Sequence, residues 1–369
     1  MKELRIKDIC DKGSSNLKQK DVEGKNGLYP VFGASGIISH IDTYHQEDKY
    51  IAIVKDGSGI GRVTFMPAKS SVIGTMQYIL PKEGFNINYI GYCLQSLDLS
   101  KYKQGAAIPH IYFRDYGERI VKVTEDINEQ QSIVDYLDST FAKIDTMKAN
   151  TEKALNEAKA LFQASLREML EPKEEWEEKK LGDICSDIRY GTSTPSNENG
   201  EYKYLRMNNI TNDGFLDVSH YKTISLPEKE LEKCLVKKGD IIFNRTNSRE
   251  LVGKSCVFTE DENMVIAGYL IRIRLKEGFE PQFITYNMNL QRSMGLFQHL
   301  IVGAVHQANI SANNIQKVLI SYPPLSEQQS IVSALDSLKS KVDKLQENYD
   351  KISQECDALK QAILRQVFE

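Results

Sequence analysis

The sequence of 369 residues has no apolar run approaching the roughly 18 residues that a membrane-spanning helix needs. Its first residues, MKELRIKDIC, are too charged for a secretory signal peptide. Its six cysteines are scattered, with no CxxC pair and no Cys/His cluster at zinc spacing. These absences predict a cytoplasmic protein, without membrane or metal, whose cysteines are reduced and mostly buried.

Motifs for nucleotide binding and catalysis are also missing. The glycines of DGSGIG (56–61) follow a GxGxG spacing and not GxGxxG, and no GxxxxGK[ST] is present, so a hairpin loop is predicted there. No GxSxG occurs, and the histidines form no metal-spaced pair. The run YPPL (322–325) departs at both ends from the (Asp/Asn)-Pro-Pro-(Tyr/Phe) motif of adenine methyltransferases. No motif therefore predicts an enzyme, although catalytic residues that come together only in the folded structure need not form a sequence motif.

What the sequence does contain is a long internal repeat. Residues 127–171 and 325–369 align without a gap, and about 21 of the 45 positions are identical. A period of roughly 200 residues is too long for a solenoid and indicates two copies of a whole unit. A duplicated unit can give one chain the approximate two-fold symmetry of a homodimer. The net charge of −4, with its acidic excess mainly in the repeats, neither demands nor excludes DNA.

The repeated segments are predicted to be long helices, because neither contains Gly or Pro. Each opens on the spacing of a capping box, Asn128 with Gln131 and Ser326 with Gln329. Apolar residues recur at alternating steps of three and four, which predicts a heptad seam and an antiparallel coiled coil within the chain. Ordinary packing of each helix on its own domain is the alternative. The predicted seam residues are Leu137, Ile144, Met147, Leu161, Leu335, Leu338, Val342, Leu345, Ile352 and Leu359.

The segments that precede the two helices hardly resemble each other, yet both contain short β-like runs separated by turn residues. A shared frame with different interiors suits a chain whose two domains recognise two different things. The fold class is therefore predicted to be α/β (α+β), with pseudo-two-fold symmetry between two domains joined by the long helices. The predicted segments are a first domain at 1–126, a central helix at 127–171, a second domain at 172–324 and a C-terminal helix at 325–369.

Residues suited to DNA cluster after several of the β-like runs. Arg and Asn can read guanine and adenine edges through paired hydrogen bonds, while Ser, Thr and Lys suit phosphates. Each cluster taken alone is equally an ordinary polar loop. The candidates are Lys55, Ser58, Arg62, His110 and Arg114 in the first domain, and Arg206, Asn208, Asn209, Arg245, Thr246, Asn247 and Arg249 in the second.

Several motifs together resemble one known family. Two variable domains, each followed by a long helix with EQQSIV, look like the specificity subunit (HsdS) of type I restriction-modification systems. The run PPLSEQQSIV (323–332) is typical of that family, as is Trp176 followed by LGDI (181–184). YPVFGASG, KDGSGIG, YLRMNNIT (204–211) and GDIIFNRTNS (239–248) are similar to segments of its variable domains. One departure is that the first unit has no counterpart of Trp176.

The resemblance implies a non-catalytic subunit with two target recognition domains, each reading one half of an asymmetric, bipartite site in double-stranded DNA. The long helices would set the spacing and dock two methyltransferase (HsdM) subunits, and two restriction and translocase (HsdR) subunits would complete the complex. S-adenosylmethionine, ATP and Mg²⁺ would be used by the complex, with no cofactor in this subunit. A coiled-coil scaffold that never touches DNA is the main alternative, and a free-standing methyltransferase is a third.

Overall fold

The computed structural model describes residues 1–105, 109–304 and 307–368. The chain divides into two compact units, here called unit 1 (residues 1–154 and 347–369) and unit 2 (residues 155–346). Each unit therefore takes part of each long helix. Among the described residues, no helix is both long and apolar enough to cross a bilayer.

Unit 1 alternates short strands and helices before the first long helix begins. Its elements are β1 (Lys2–Arg5), α1 (Ile6–Ile9), β2 (Cys10–Ser14), α2 (Gln19–Val22), β3 (Tyr29–Gly33), β4 (Gly36–Ile41), β5 (Tyr50–Val54), β6 (Val63–Met66), β7 (Ser71–Val72), β8 (Met76–Pro81), α3 (Ile87–Ser96), α4 (Phe113–Tyr116) and β9 (Ile120–Val123). The long helix α5 (Ile127–Met169) follows, and its last part belongs to unit 2.

Unit 2 repeats this pattern with some additions. Its elements are β10 (Glu177–Lys180), α6 (Leu181–Ile184), β11 (Cys185–Tyr190), β12 (Tyr202–Leu205), β13 (Lys222–Ile224), α7 (Glu228–Cys234), β14 (Leu235–Val236), β15 (Ile241–Asn244), β16 (Thr246–Asn247), β17 (Ser255–Val257), β18 (Met264–Ile266), β19 (Leu270–Leu275), α8 (Pro281–Ser293), β20 (Val302–Ala304), β21 (Gln307–Asn309), α9 (Ala312–Ile315) and β22 (Leu319–Tyr322). The second long helix, α10 (Leu325–Phe368), ends in unit 1.

The two units share one sheet topology. The main antiparallel sheet has the strand order β2-β8-β5-β6 in unit 1 and β11-β19-β15-β17 in unit 2. A smaller sheet follows in each, β4-β3-β7 and β13-β12-β18-β14, with one parallel pairing in both. A two-stranded ribbon, β1-β9 or β10-β22, pairs the strand that precedes the main sheet with the strand just before the following long helix, α5 or α10. The predicted duplication therefore extends to the domains whose sequences hardly match.

The central strand of each main sheet is buried on both faces. Ile51 and Ile53 of β5 pack toward α3 and the long helices, whereas Tyr50 and Ala52 pack toward the smaller sheet. In unit 2, Ile241 and the other residues of β15 alternate in the same way. A strand that is covered on both faces needs a nearly continuous run of apolar residues, and both β5 and β15 have such a run.

The first glutamine of each EQQSIV motif ties the long helix to its own domain. Gln130 is fully buried; its Oε1 accepts a hydrogen bond from Asn86 N (2.7 Å), and its Nε2 donates to Thr124 O (2.9 Å) and Gly84 O (3.1 Å). Asn86 is the N-terminal cap of α3. The side chain thus satisfies backbone groups that the turn before α3 would otherwise leave buried and unpaired.

Gln328 makes the same contacts in unit 2. It accepts a hydrogen bond from Glu280 N (2.9 Å) and donates to Pro323 O (2.8 Å), with a longer contact to Gly278 O (3.4 Å). A second pair of matching contacts follows about two helix turns later, where Tyr92 donates to Asp138 and Tyr286 donates to Asp336. These paired contacts explain why the first glutamine of QQSIV and the aspartate of the following Leu-Asp recur in both helices.

The helices α5 and α10 run antiparallel in each unit. In unit 1, Lys148 Nζ lies 3.3 Å from Asp357, and Lys360 forms an ion pair with Asp145. In unit 2, Lys159 donates to Gln346 (2.7 Å). Residue numbers increase along one helix as they decrease along the other, so the predicted antiparallel coiled coil is confirmed.

The predicted seam is correct in part. Leu137, Ile144, Leu335 and Val342 are buried, and Leu338, Leu345 and Ile352 are half-buried. Met147, Leu161 and Leu359, however, are 49%, 60% and 46% exposed, so their assignment to the seam is wrong.

The error in α5 has a simple geometric cause. Apolar residues in a heptad can be spaced by three then four residues, or by four then three. Counted from Leu137, the prediction took three then four, whereas the buried positions follow four then three. Every second predicted position in α5 is therefore one residue too early. Large side chains at the next position, including Leu155 and Phe162, fill the interface instead.

The predicted capping boxes are also wrong. The helix α5 begins at Ile127, and Asp126 caps it by accepting a hydrogen bond from Asn128 N (2.9 Å). The helix α10 begins at Leu325, where Pro324 O accepts from Glu327 N (2.9 Å). Asn128 and Ser326 therefore lie inside the first turn.

Candidate nucleic-acid interface

In unit 1, the loop after the central strand β5 carries three of the candidates. Gly61 N donates to Val54 O (2.8 Å) and Val54 N donates to Arg62 O (3.0 Å), so the DGSGIG segment closes a hairpin between β5 and β6. Gly57, Gly59 and Gly61 have φ near +83° (82, 83 and 84), where other residues would be strained. The prediction of a hairpin loop is confirmed, and Ser58 lies exposed at its tip.

A second segment, residues 109–114, lies against this loop and brings His110 to it. Ile111 N donates to Lys55 O (2.9 Å), Gly57 N donates to Pro109 O (3.1 Å), and the His110 ring is hydrogen bonded through Nδ1 to Asp56. An Nδ1–H held on a carboxylate leaves Nε2 as the acceptor of the neutral ring. The structure thus unites Lys55 and His110, which are distant in sequence.

Alternate residues of the same segment share its exposed face. The His110 and Tyr112 rings are 4.0 Å apart, and the Arg114 guanidinium lies 4.5 Å from the centre of the Tyr112 ring. Tyr112 was not predicted from the sequence, although it lies between two candidates, His110 and Arg114. We call Lys55, Ser58, His110, Tyr112 and Arg114 the unit 1 cluster.

Arg62 lies apart from this cluster. Its guanidinium packs against Gly59, where even a single added Cβ would collide with it. It lines a separate groove of about 580 Å³ together with Asp98, Ser100 and Arg365. The structure therefore does not group Arg62 with the other candidates of unit 1.

In unit 2, the loop after β15 forms an arm with the hairpin β20–β21. Thr246 and Asn247 form β16, which pairs antiparallel with Asn309 and Ala308 of β21. Asn309 Nδ2 also donates to Thr246 Oγ1 (2.9 Å). This three-stranded arm occupies the place in the topology where, in unit 1, Asp56 of the 55–62 loop bridges to His110 and His110 bridges to Gln104.

Arg245 holds the arm to the rest of unit 2. Its Nη2 donates to Asn309 Oδ1 (3.0 Å), its Nη1 is 3.3 Å from Gly268 O, and its guanidinium lies 4.7 Å from the centre of the Tyr190 ring. The geometry therefore gives Arg245 an internal positioning role, and any base contact must use the donors that remain.

Asn209 is not available for base reading, which corrects that prediction. Its side chain is 3% exposed, and its Nδ2 donates to Asp217 O and His220 O (both 2.7 Å). Its Oδ1 accepts from Arg206 N (2.8 Å). All of its hydrogen-bonding groups are engaged, because the side chain shapes the turn that follows β12. Its neighbour Asn208 is exposed, as is Arg249 at the far end of the arm.

A polar cleft of about 580 Å³ lies beside the arm. Arg206 and Thr246 line it together, although 40 residues separate them in sequence. Lys222 and Tyr269 also line it, and neither was singled out from the sequence. Their signal is weak, because a lone lysine on a short strand and a tyrosine in a turn are common features of any surface. We call Arg206, Lys222, Thr246 and Tyr269 the unit 2 cleft.

A buried lysine and a half-buried arginine support the segment next to the cleft. Lys254 is 5% exposed and donates to Ile210 O (2.8 Å), while Arg292 donates to Glu250 O (3.0 Å). Burial lowers the pKa of Lys254 and that of Arg292 from their ordinary values. Both bind backbone carbonyls, so they brace the loops that position the exposed residues.

Other sequence predictions concern chemistry away from these surfaces. Tyr322 of the YPPL run is 8% exposed and donates to Glu177 (2.8 Å), which fits a structural role before α10. All six cysteines are buried and free, as predicted, and burial raises the pKa of Cys93 and of Cys185 to about 12. Within the described part of the chain there is no cluster of three or more ligands that could hold a metal ion.

The comparison with protein families identifies the class of the chain. A model described as the type I restriction modification DNA specificity domain matches residues 1–157 and again residues 173–354. The two matches together cover most of the sequence, once for each copy of the repeat. The chain therefore belongs to the family of type I restriction-modification specificity domains, and the predicted resemblance is confirmed.

Individual relatives are distant. The chain is 27% identical over 256 residues to the EcoKI specificity subunit of Escherichia coli, covering 65% of this chain and 55% of that protein. It is 23% identical over 360 residues to the StySPI specificity subunit of Salmonella potsdam, covering 92% of this chain and 77% of that protein. The chain thus spans little more than half the length of its E. coli relative.

Solved structures show the same fold. A chain from a study of assembly and conformational transition in the type I restriction-modification system matches with a TM-score of 0.74 and 18% identity, covering 98% of this chain and 96% of that one. The HsdS subunit of Thermoanaerobacter tengcongensis matches with a TM-score of 0.54 and 17% identity, covering 98% and 95%. At these identities the likeness shows the architecture alone.

Proposed function

We propose that this chain recognises DNA as the specificity subunit of a type I restriction-modification complex, with each unit reading one half of an asymmetric, bipartite site. The observation that carries the proposal is that both units place polar side chains beside the loop that follows the central strand of the same main sheet. Unit 1 has His110, Tyr112 and Arg114 there, whereas unit 2 has Arg206 and Thr246. Different side chains on one frame suit two different half-sites.

The partners and cofactors follow from the family. We propose that two methyltransferase subunits bind the long helices and that two restriction and translocase subunits join through them. S-adenosylmethionine, ATP and Mg²⁺ would be bound by those partners, because this subunit is proposed to be non-catalytic. The same reasoning places the complex in the cytoplasm, where its DNA substrate is.

The test is to co-express the chain with the methyltransferase subunit of its host and to map modified adenines in the DNA of those cells. We expect a single split motif whose two halves differ. Arg114→Ala should relax the half read by unit 1 and leave the other half unchanged, and Arg206→Ala should do the reverse. A direct base contact of this kind is worth about 1–3 kcal/mol of discrimination.

The control is Lys203→Ala in unit 2, because Lys203 pairs with Glu262 outside both proposed surfaces. It should leave the motif unchanged. Loss of both half-sites in either unit-specific variant would contradict the division of labour between the units. A scaffold that never touches DNA is less favoured, because the specificity-domain model covers both halves of the chain. It predicts no modified motif and no steep dependence of DNA binding on salt.

A further inference from the structure

The loop after the central strand meets its returning segment in the same register in both units. In unit 1, Ile111 N donates to Lys55 O (2.9 Å). In unit 2, Ile310 N donates to Arg245 O (2.9 Å). Lys55 and Arg245 are each the first residue after the central strand, β5 or β15, so the two loops correspond residue by residue at this point.

The next residue of each loop is joined to the returning segment by a side-chain hydrogen bond. Asp56 lies opposite His110, and its carboxylate accepts from Nδ1 of the His110 ring. Thr246 lies opposite Asn309, and its hydroxyl accepts from Asn309 Nδ2 (2.9 Å). We call Asp56–His110 and Thr246–Asn309 the junction pairs. The position of the bond agrees between the units, although all four side chains differ.

Each junction pair also orients side chains beside the loop. The ring of His110 lies 4.0 Å from the ring of Tyr112, and the Arg114 guanidinium lies 4.5 Å from the centre of that second ring. In unit 2, Asn309 Oδ1 accepts from Arg245 Nη2 (3.0 Å). A bond that fixes the ring or the amide therefore also fixes the arginine that it supports.

The pairs are better suited to holding the loops than to contacting DNA. Asn309 engages its amide oxygen with Arg245 and its amide nitrogen with Thr246. In unit 1, the side chains of Asp56 and His110 are only 24% and 26% exposed, and a carboxylate repels the phosphates of DNA. The contribution of each pair to recognition must therefore act through the neighbouring residues.

We propose that the junction pairs are positioning residues for half-site recognition, and that the two pairs are interchangeable. This inference rests on the proposed function. A loop that is already held in its binding conformation loses less conformational entropy on binding, so the bond raises base discrimination without touching a base. Each pair supplies one donor and one acceptor at the same register, so Thr with Asn can replace Asp with His in unit 1.

The test uses the full chain in complex with the methyltransferase subunit of its host. Its binding is measured on duplexes with the mapped split motif, intact or mismatched in one half. Asp56→Ala and His110→Ala should each reduce discrimination at the unit 1 half-site by about fivefold, the loss of one hydrogen bond, and leave the other half-site unchanged. The double alanine variant should lose no more than either single variant, because all three remove the same bond. Asp56→Thr with His110→Asn should restore discrimination to the wild-type level.

The matched control is Tyr44→Phe, which removes a side-chain hydrogen bond to Glu47 elsewhere in unit 1 and keeps the aromatic ring. It should leave discrimination unchanged at both half-sites. Hydrogen–deuterium exchange in β5, measured for every variant, shows whether the main sheet of unit 1 is intact. A positioning role predicts lost discrimination at one half-site with unchanged protection of β5.

The outcomes separate this inference from the proposed function. A wild-type complex that does not distinguish intact from mismatched duplexes contradicts both. Alanine variants that discriminate as well as the wild type, or that lose both half-sites equally with β5 protected, overturn the positioning role alone. If the alanine variants lose protection in β5, the Thr–Asn exchange decides, because wild-type discrimination in that variant supports the inference and its loss overturns it.

Discussion

The buried glutamine of the EQQSIV motif should stabilise its unit far more than its equally repeated neighbour. In unit 2, Gln328→Ala removes two short hydrogen bonds, from Glu280 N (2.9 Å) and to Pro323 O (2.8 Å), and leaves both backbone groups without that partner. Each buried polar group left unpaired costs about 1–3 kcal/mol. The longer contact to Gly278 O contributes little. For the two groups together, we therefore expect the free energy of unfolding of unit 2 to fall by about 2–6 kcal/mol.

The control is Gln329→Ala, because Gln329 is exposed and its loss should cost less than about 0.5 kcal/mol. Hydrogen–deuterium exchange, measured peptide by peptide, is the suitable assay, since a chain of two units need not unfold in one step. Protection should fall in α8 and at the start of α10 in Gln328→Ala, and around α3 in Gln130→Ala. Equal losses in Gln328→Ala and Gln329→Ala would refute the anchoring role.

Three further outcomes are expected. Burial alone would raise the pKa of Asp187, but hydrogen bonds from Arg272 and Arg189 lower it below its ordinary value. The stabilisation from this depressed pKa is therefore complete above the unfolded-state pKa of about 3.9, and it is lost as the pH falls through the folded-state pKa. In acid denaturation curves, the difference in stability between the wild type and Asp187→Asn should therefore shrink as the pH falls. Asn209→Ala should lower the melting temperature, whereas Asn208→Ala should leave it unchanged and weaken only DNA binding; equal melting temperatures would contradict this assignment. Arg245→Ala should lose discrimination at one half-site by about 1–3 kcal/mol, and increased exchange in β20 and β21 would show that it acts by positioning the arm.

The long helices were predictable from sequence because their signal is local and repeated. Two segments without Gly or Pro, with apolar residues at steps of three and four, leave few alternatives to an antiparallel pair. The phase of the seam was less certain, because a heptad allows both orders of those steps. Packing in three dimensions selected Leu155 and Phe162 and left Leu161 in solvent.

The candidate interface was predictable only as a set of residue types near strand ends. The sequence alone does not reveal whether an arginine or asparagine side chain is exposed to solvent or stabilises a turn. Asn208 is exposed and Asn209 is buried with every hydrogen-bonding group engaged, a difference that adjacent residues in a turn do not reveal. Likewise, Asp56 is hydrogen bonded to the His110 ring and Lys55 O accepts from Ile111 N, and only the closed sheet brings these segments together.

The sequence by itself determined the duplication, the two long helices and the family, because each depends on patterns that recur along the chain. The tertiary structure decided which side chains are available to a ligand and which have their hydrogen-bonding groups already paired within the protein. It also showed that two domains whose sequences hardly resemble each other share one sheet order, since a buried strand requires apolar residues but not particular ones. The physical reason is that helix periodicity is local, whereas exposure is set by neighbours that are distant in sequence, as Arg206 and Thr246 show in their shared cleft.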